Sequence, residues 1–131
     1  MLEFFNTTEI LQFVVSTLFG SMIFFSAIVA PTIFASLDQI NSRKLIRKIF
    51  PKLYSWGIFL GLIICILQIN NKSLHLYLSI FVMMGFVFSR QILMPKINEL
   101  SDKKDEKNFK KFHTLSVLIF ISQLVILLFI F

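Results

Sequence analysis

In the stretch KNFKKFHTLS, residues 107–116, a run of lysines gives way to an apolar segment, and His113 stands at the border. The chain has 2 histidines. A neutral imidazole both donates and accepts a hydrogen bond and gains a proton near neutral pH. Arg90 is the charge that lies well inside an apolar run. Its guanidinium offers a planar fork that fits carboxylates and phosphates. Tyr54 and the bend expected at Pro31 fall at about the same depth. Arg90, His113, Tyr54 and Pro31 would together line a vestibule that holds an anionic head group, with Asp38 or Asp102 as an alternative partner for the arginine. The plainer reading is that Arg90 extends to the interface and His113 anchors the start of a helix there.

Other chemistry is sparse. His75 opens an apolar segment beside Tyr77, on the membrane face opposite His113, so the two cannot share one metal or haem iron. Cys65 stands alone inside an apolar segment and reads as a small buried residue. Met83 and Met84 are adjacent and point to different helix faces. The sequence holds no CxxC, HxxxH, Walker loop or Ser-His-Asp set. The acidic residues lie outside the apolar runs, which argues against a carboxylate relay across a membrane. No catalytic residue, metal site or cofactor is expected. The leading reading is a protein, more plausibly not an enzyme, that binds a small anionic or amphipathic ligand or a partner at its cytoplasmic face. The alternatives are a haem- or metal-associated redox enzyme using His113, and a small transporter or scaffold subunit.

The elements that must position these residues follow from composition. The chain has 131 residues, 56% of them hydrophobic, including 17 Phe, and only 15% charged. The charges cluster, and between the clusters lie segments apolar on every side, as in helices solvated by lipid. Crossing ~30 Å of hydrocarbon takes about 20 helical residues. Spans are expected at about 10–37, 53–69, 74–94 and 114–131, with connecting loops at 38–52 and 95–113. The fold class is all-α: a polytopic membrane four-helix bundle in one domain. Pro51 should sit in a first helical turn, Pro95 should end or kink the third helix, and Pro31 should bend the first. Asn70 to Ser73 should form a tight polar turn. Gly57 and Gly61 form a GxxxG that permits close helix packing. Gly20, Ser21, Ser26 and Ala27 give the first helix small positions, so the first two helices are expected to be the tightest pair. Gln68, Ser79, Ser122 and Gln123 are expected to bond between helices or near the outer surface.

Orientation follows from lysine and arginine. Arg43, Lys44, Arg47, Lys48 and Lys52 fill the first long loop; Lys96, Lys103, Lys104, Lys107, Lys110 and Lys111 fill the second. The positive-inside rule places both loops in the cytoplasm and both termini outside. No cleavable signal peptide is expected, because Glu3 and Glu9 stand where a basic region would be. The location read from this is a bacterial inner membrane or its equivalent. The expected partners are the lipid bilayer and either a second copy or another membrane protein, with no nucleic acid.

The two inward segments resemble each other. Both open with a proline two residues before an isoleucine, Pro31 with Ile33 and Pro95 with Ile97. Asp38 then matches Asp102, Phe50 matches Phe109, Lys52 matches Lys111, and Tyr54 matches His113. The bundle is therefore read as two parallel helical hairpins related by an axis along the membrane normal. The segments "FSAIVAPTIFASL", "IFPKLYSWG" and "MPKINELSD…FKKFHTLSVLIFISQL" also resemble the transmembrane protein 205-like family (domain of unknown function 4149). The motifs that carry the resemblance fall on Pro31 and Phe34, on Pro51 and Tyr54, and on Phe109, His113 and Ser116. It implies a small four-helix membrane fold and no established reaction.

Overall fold

A computed structural model describes residues 6–70 and 73–131 of the chain. Four helices account for nearly all of it: α1 (Thr7–Ser36), α2 (Gln39–Leu67), α3 (Leu74–Asp102) and α4 (Glu106–Ile130). Each is long and apolar enough to cross a membrane. No strand occurs among the described residues. At ~1.5 Å per residue every helix exceeds the ~30 Å hydrocarbon core. The excess lies at one end, where the lysines and arginines gather.

That excess changes the expected boundaries. The segment 38–52 is helical apart from Asp38, so Pro51 lies well inside α2 and not in its first turn. The segment 95–113 is also mostly helical: α3 continues past Pro95 to Asp102, and α4 begins at Glu106. Basic residues depress hydropathy without opposing helix formation, because lysine and arginine are good helix formers. The true connections are short. Lys104 takes a positive φ of 58° between α3 and α4. Asp105 then caps α4, its carboxylate accepting from the Asn108 N–H. At the other end Asn6 caps α1 by accepting from the Glu9 N–H at 2.8 Å. Of the expected polar turn, Asn71 and Lys72 lie outside the described residues.

Pro31 and Pro95 meet the same local solution. A π turn over Phe25–Val29 precedes Pro31, and another over Ser89–Leu93 precedes Pro95. The Ala30 N–H reaches back to the Phe25 carbonyl, and the Met94 N–H to the Ser89 carbonyl. A proline lacks an N–H and its ring crowds the carbonyl of the preceding turn. One wide turn relieves both problems and lets the helix continue. The two wide turns occupy identical places relative to their prolines.

Leu18 and Met22 of α1, Ile64 of α2, Val82 and Phe86 of α3 and Leu127 of α4 form the buried core. Much of the remaining apolar surface points outward, including Phe13, Phe59, Phe81, Leu118 and Phe129. An exterior of this kind suits lipid rather than water. The closest seam lies between α2 and α3. A Cβ on Gly57 would stand 2.8 Å from the Phe86 ring, and one on Gly61 3.1 Å from Met83 Cβ. This corrects the expected pairing of α1 with α2, since Gly20 has no neighbour within 4 Å of its would-be Cβ. The α1–α2 contact has its own tie: Trp56 Nε1 donates to Ser21 Oγ at 3.1 Å. Ser79 donates to Gln68 between α3 and α2. Gln123 of α4 donates to the Val82 carbonyl of α3 at 2.8 Å. Ser122 bonds within its own helix, to the Ile119 carbonyl.

Candidate functional site

At the basic end the bundle does not close. The termini of α1 and α4 approach at the far end, where Gln12 Nε2 donates to the Phe131 carbonyl at 3.4 Å. Toward the basic end the two helices part around a cavity of about 650 Å³. That volume lies within the ~300–1,000 Å³ common for small-molecule sites. Its inner walls are apolar. Phe25 and Ala30 contribute from α1, Phe50 and Tyr54 from α2, Met94 and Ile97 from α3, and Phe120 and Leu124 from α4. Phe34 and Ile121 also line it while remaining 57% and 50% exposed. The cavity is therefore open sideways, between α1 and α4.

The mouth is polar. Gln39, Arg43 and Arg47 reach it from α2, Asn98 and Ser101 from α3, and His113 from α4. Helical spacing explains the division. Gln39, Arg43, Arg47, Phe50 and Tyr54 fall three or four residues apart, so they share one face of α2. The polar members come first in sequence and lie nearest the basic end. On α4, Phe109, His113, Val117, Phe120 and Leu124 make the matching stripe.

The two arginines at the mouth differ in their partners. Arg47 is held across the bundle by Asp102, with nitrogen–oxygen distances of 2.6 and 3.3 Å, and it donates to the Asn98 carbonyl at 3.3 Å. Arg43 makes no side-chain hydrogen bond or ion pair among the described residues. Nearby, Lys103 bonds Glu99 at 2.7 Å, and that carboxylate raises the Lys103 ammonium above the ordinary lysine value.

Of the four expected site residues, Tyr54 and His113 both line the cavity. Tyr54 is buried, with its ring 5.7 Å from Phe50 and 6.2 Å from Phe86. His113 is exposed and lies against Phe109, 5.7 Å between ring centroids. Arg90 is not in the cavity. Its place in the second π turn directs it to α2, where Nε donates to the Pro51 carbonyl at 3.3 Å. Its terminal nitrogen bonds the neighbouring Gln91 at 2.9 Å. Pro31 is exposed and off the lining, although Ala30 beside it contributes. Asp38 bonds Asn41 at 2.6 Å and Asp102 holds Arg47, so neither carboxylate is the Arg90 partner. Arg43 and Arg47 are the residues that reasoning from sequence missed. The sequence uses both for orientation alone, because a segment read as loop shows no face. Read as helix, the three- and four-residue spacing from Gln39 to Tyr54 reveals them.

Similarity to known proteins bears on this arrangement. A family model described as a domain of unknown function, DUF4149, matches residues 13–106. The chain belongs to the DUF4149 family. A relative in Aquifex aeolicus (strain VF5), described as an uncharacterized protein, is 32% identical over 94 residues, which span 72% of this chain and 70% of the relative. No solved structure matches the chain. The DUF4149 match takes in α1, α2 and α3, with the arginines of the mouth. It ends before His113, so the α4 wall lies beyond the matched residues.

Proposed function

We propose that this DUF4149 protein binds a small anionic amphiphile in the cavity between α1 and α4, at the cytoplasmic face of a membrane. The observation that carries the reading is the polarity gradient of one cavity: Phe and Leu walls inside, and Arg43, Arg47 and His113 at the mouth. As the surrounding lipid does, the walls keep the apolar part of a ligand out of water. Its negative head meets a guanidinium at the interface, where charge-assisted bonds are about twice as strong as neutral ones. His113 adds a second donor there. The cytoplasmic assignment rests on the gathering of Lys and Arg at the cavity end.

Two measurements test the reading. Native mass spectrometry of the protein extracted in a non-ionic detergent should find an anionic amphiphile retained, and Ile121→Trp, which fills the side opening, should release it. Retention that is equal in both would contradict the cavity as the site. Reporter fusions at the C-terminus and near Lys104 test sidedness. A C-terminus found in the cytoplasm would reverse the orientation.

A further inference from the structure

The mouth of the cavity has a definite charge. Arg43, Arg47 and His113 are its basic side chains. Arg47 is already matched by the Asp102 carboxylate at 2.6 Å. Arg43 has no ion-pair partner among the described residues, so the mouth presents one guanidinium fork that is not already paired. We propose that the cavity selects a single-chain amphiphile with one negative charge, a long-chain carboxylate, and that Asp102 sets this selectivity by neutralising Arg47. The proposal rests on the amphiphile reading above and narrows it.

Three observations support it. The cavity, at about 650 Å³, has room for an extended acyl chain. Its side opening past Phe34 and Ile121 admits a chain directly from the bilayer leaflet, without passage through water. The planar Arg43 fork suits a carboxylate, and a doubly charged head would find the second guanidinium, Arg47, already engaged by Asp102. Asp102 does not line the cavity, so it acts as a positioning and charge-setting residue rather than a contact. Its side chain is 65% exposed, so changing it leaves the packed bundle intact.

The experiment measures retention of radiolabelled hexadecanoate by the full-length protein in non-ionic detergent at pH 8. The competitors are hexadecanol, hexadecyl phosphate and phosphatidylglycerol. At that pH the alkyl phosphate is above its second ionisation, at about pH 6. Unlabelled hexadecanoate should compete about tenfold or more better than each of the others, the worth of one well-matched charged contact. In Asp102→Asn, Arg47 is freed, and hexadecyl phosphate should gain about tenfold relative to hexadecanoate. Arg47→Met should do the opposite, since the orphaned Asp102 then offsets Arg43 and hexadecanoate binding falls. Equal competition by phosphatidylglycerol or hexadecyl phosphate in the unaltered protein would overturn the selectivity and leave the broader amphiphile reading standing. So would an Asp102→Asn effect equal for both head groups. Failure of every compound to bind would remove both.

Discussion

Two seams of the bundle are built on opposite principles. Between α2 and α3 the contact is closed: Gly57 lies under the Phe86 ring with no room for a methyl group, and Gly61 lies tightly under Met83. Between α1 and α4 the helices touch near the termini and part at the basic end, leaving about 650 Å³ between them. Both seams use aromatic residues. In the first, a fully buried Phe86 fills the space; in the second, Phe25, Phe50 and Phe120 surround it. The lesson is that phenylalanine abundance does not distinguish a packed seam from an open one. What distinguishes them is whether a glycine lets the opposite helix approach, and whether polar groups gather where it does not.

Substitutions should separate the seams sharply. The largest effect is expected at Gly57. In Gly57→Val the new side chain overlaps Phe86, which is 0% exposed and cannot move aside, so about 1–3 kcal/mol of stability or more should be lost. Thermal unfolding in detergent would show it. A melting temperature within experimental scatter of the unaltered protein would mean that the α2–α3 seam is looser than described. Next is Arg43→Gln on the open seam. Amphiphile retention should fall about tenfold while the melting temperature stays in place, because the lost contact is to ligand and not to protein. A parallel fall in both would recast Arg43 as structural.

Smaller effects sharpen the contrast. Gly20→Ala meets nothing within 4 Å, so it should raise stability by about 0.5–1 kcal/mol through helix propensity alone. Destabilisation there would reveal a partner on that face. The smallest effect concerns Arg90. Because it bonds the Pro51 carbonyl outside the cavity, Arg90→Gln and His113→Tyr should combine additively in ligand binding, within about 0.5 kcal/mol. Arg43→Gln with His113→Tyr should not, since those residues share the mouth. A strong Arg90–His113 coupling would restore the arginine to the site.

Several of these features were legible in the sequence and others were hidden for identifiable reasons. The four apolar helices follow directly from long segments with at most one charge, such as 10–37 and 74–94. Tyr54 and His113 were found together through the matched segments, and both line the cavity. The glycine pair was recognised as a packing motif, but its partner was not, because spacing gives the face of one helix and never the identity of its neighbour. The helical extent of 39–52 was masked by its charges, and with it the α2 stripe that carries Arg43 and Arg47. Arg90 lies against α2, off the cavity lining, and a helical spacing alone does not show this. The π turn at Ser89–Leu93 inserts a residue into the helical repeat and rotates everything within it.

The central claim is that the open seam between α1 and α4 holds the acyl chain of an anionic amphiphile. Photo-crosslinking with a diazirine-bearing long-chain fatty acid in bilayer nanodiscs tests it most directly, with adducts located by peptide mass spectrometry. The account predicts labels concentrated on the cavity walls, at Phe34, Val117, Phe120 and Ile121, and their loss in Ile121→Trp. Labels spread evenly over the outward faces, at Phe13, Phe59, Phe81 and Phe129 as much as at the seam, would contradict it.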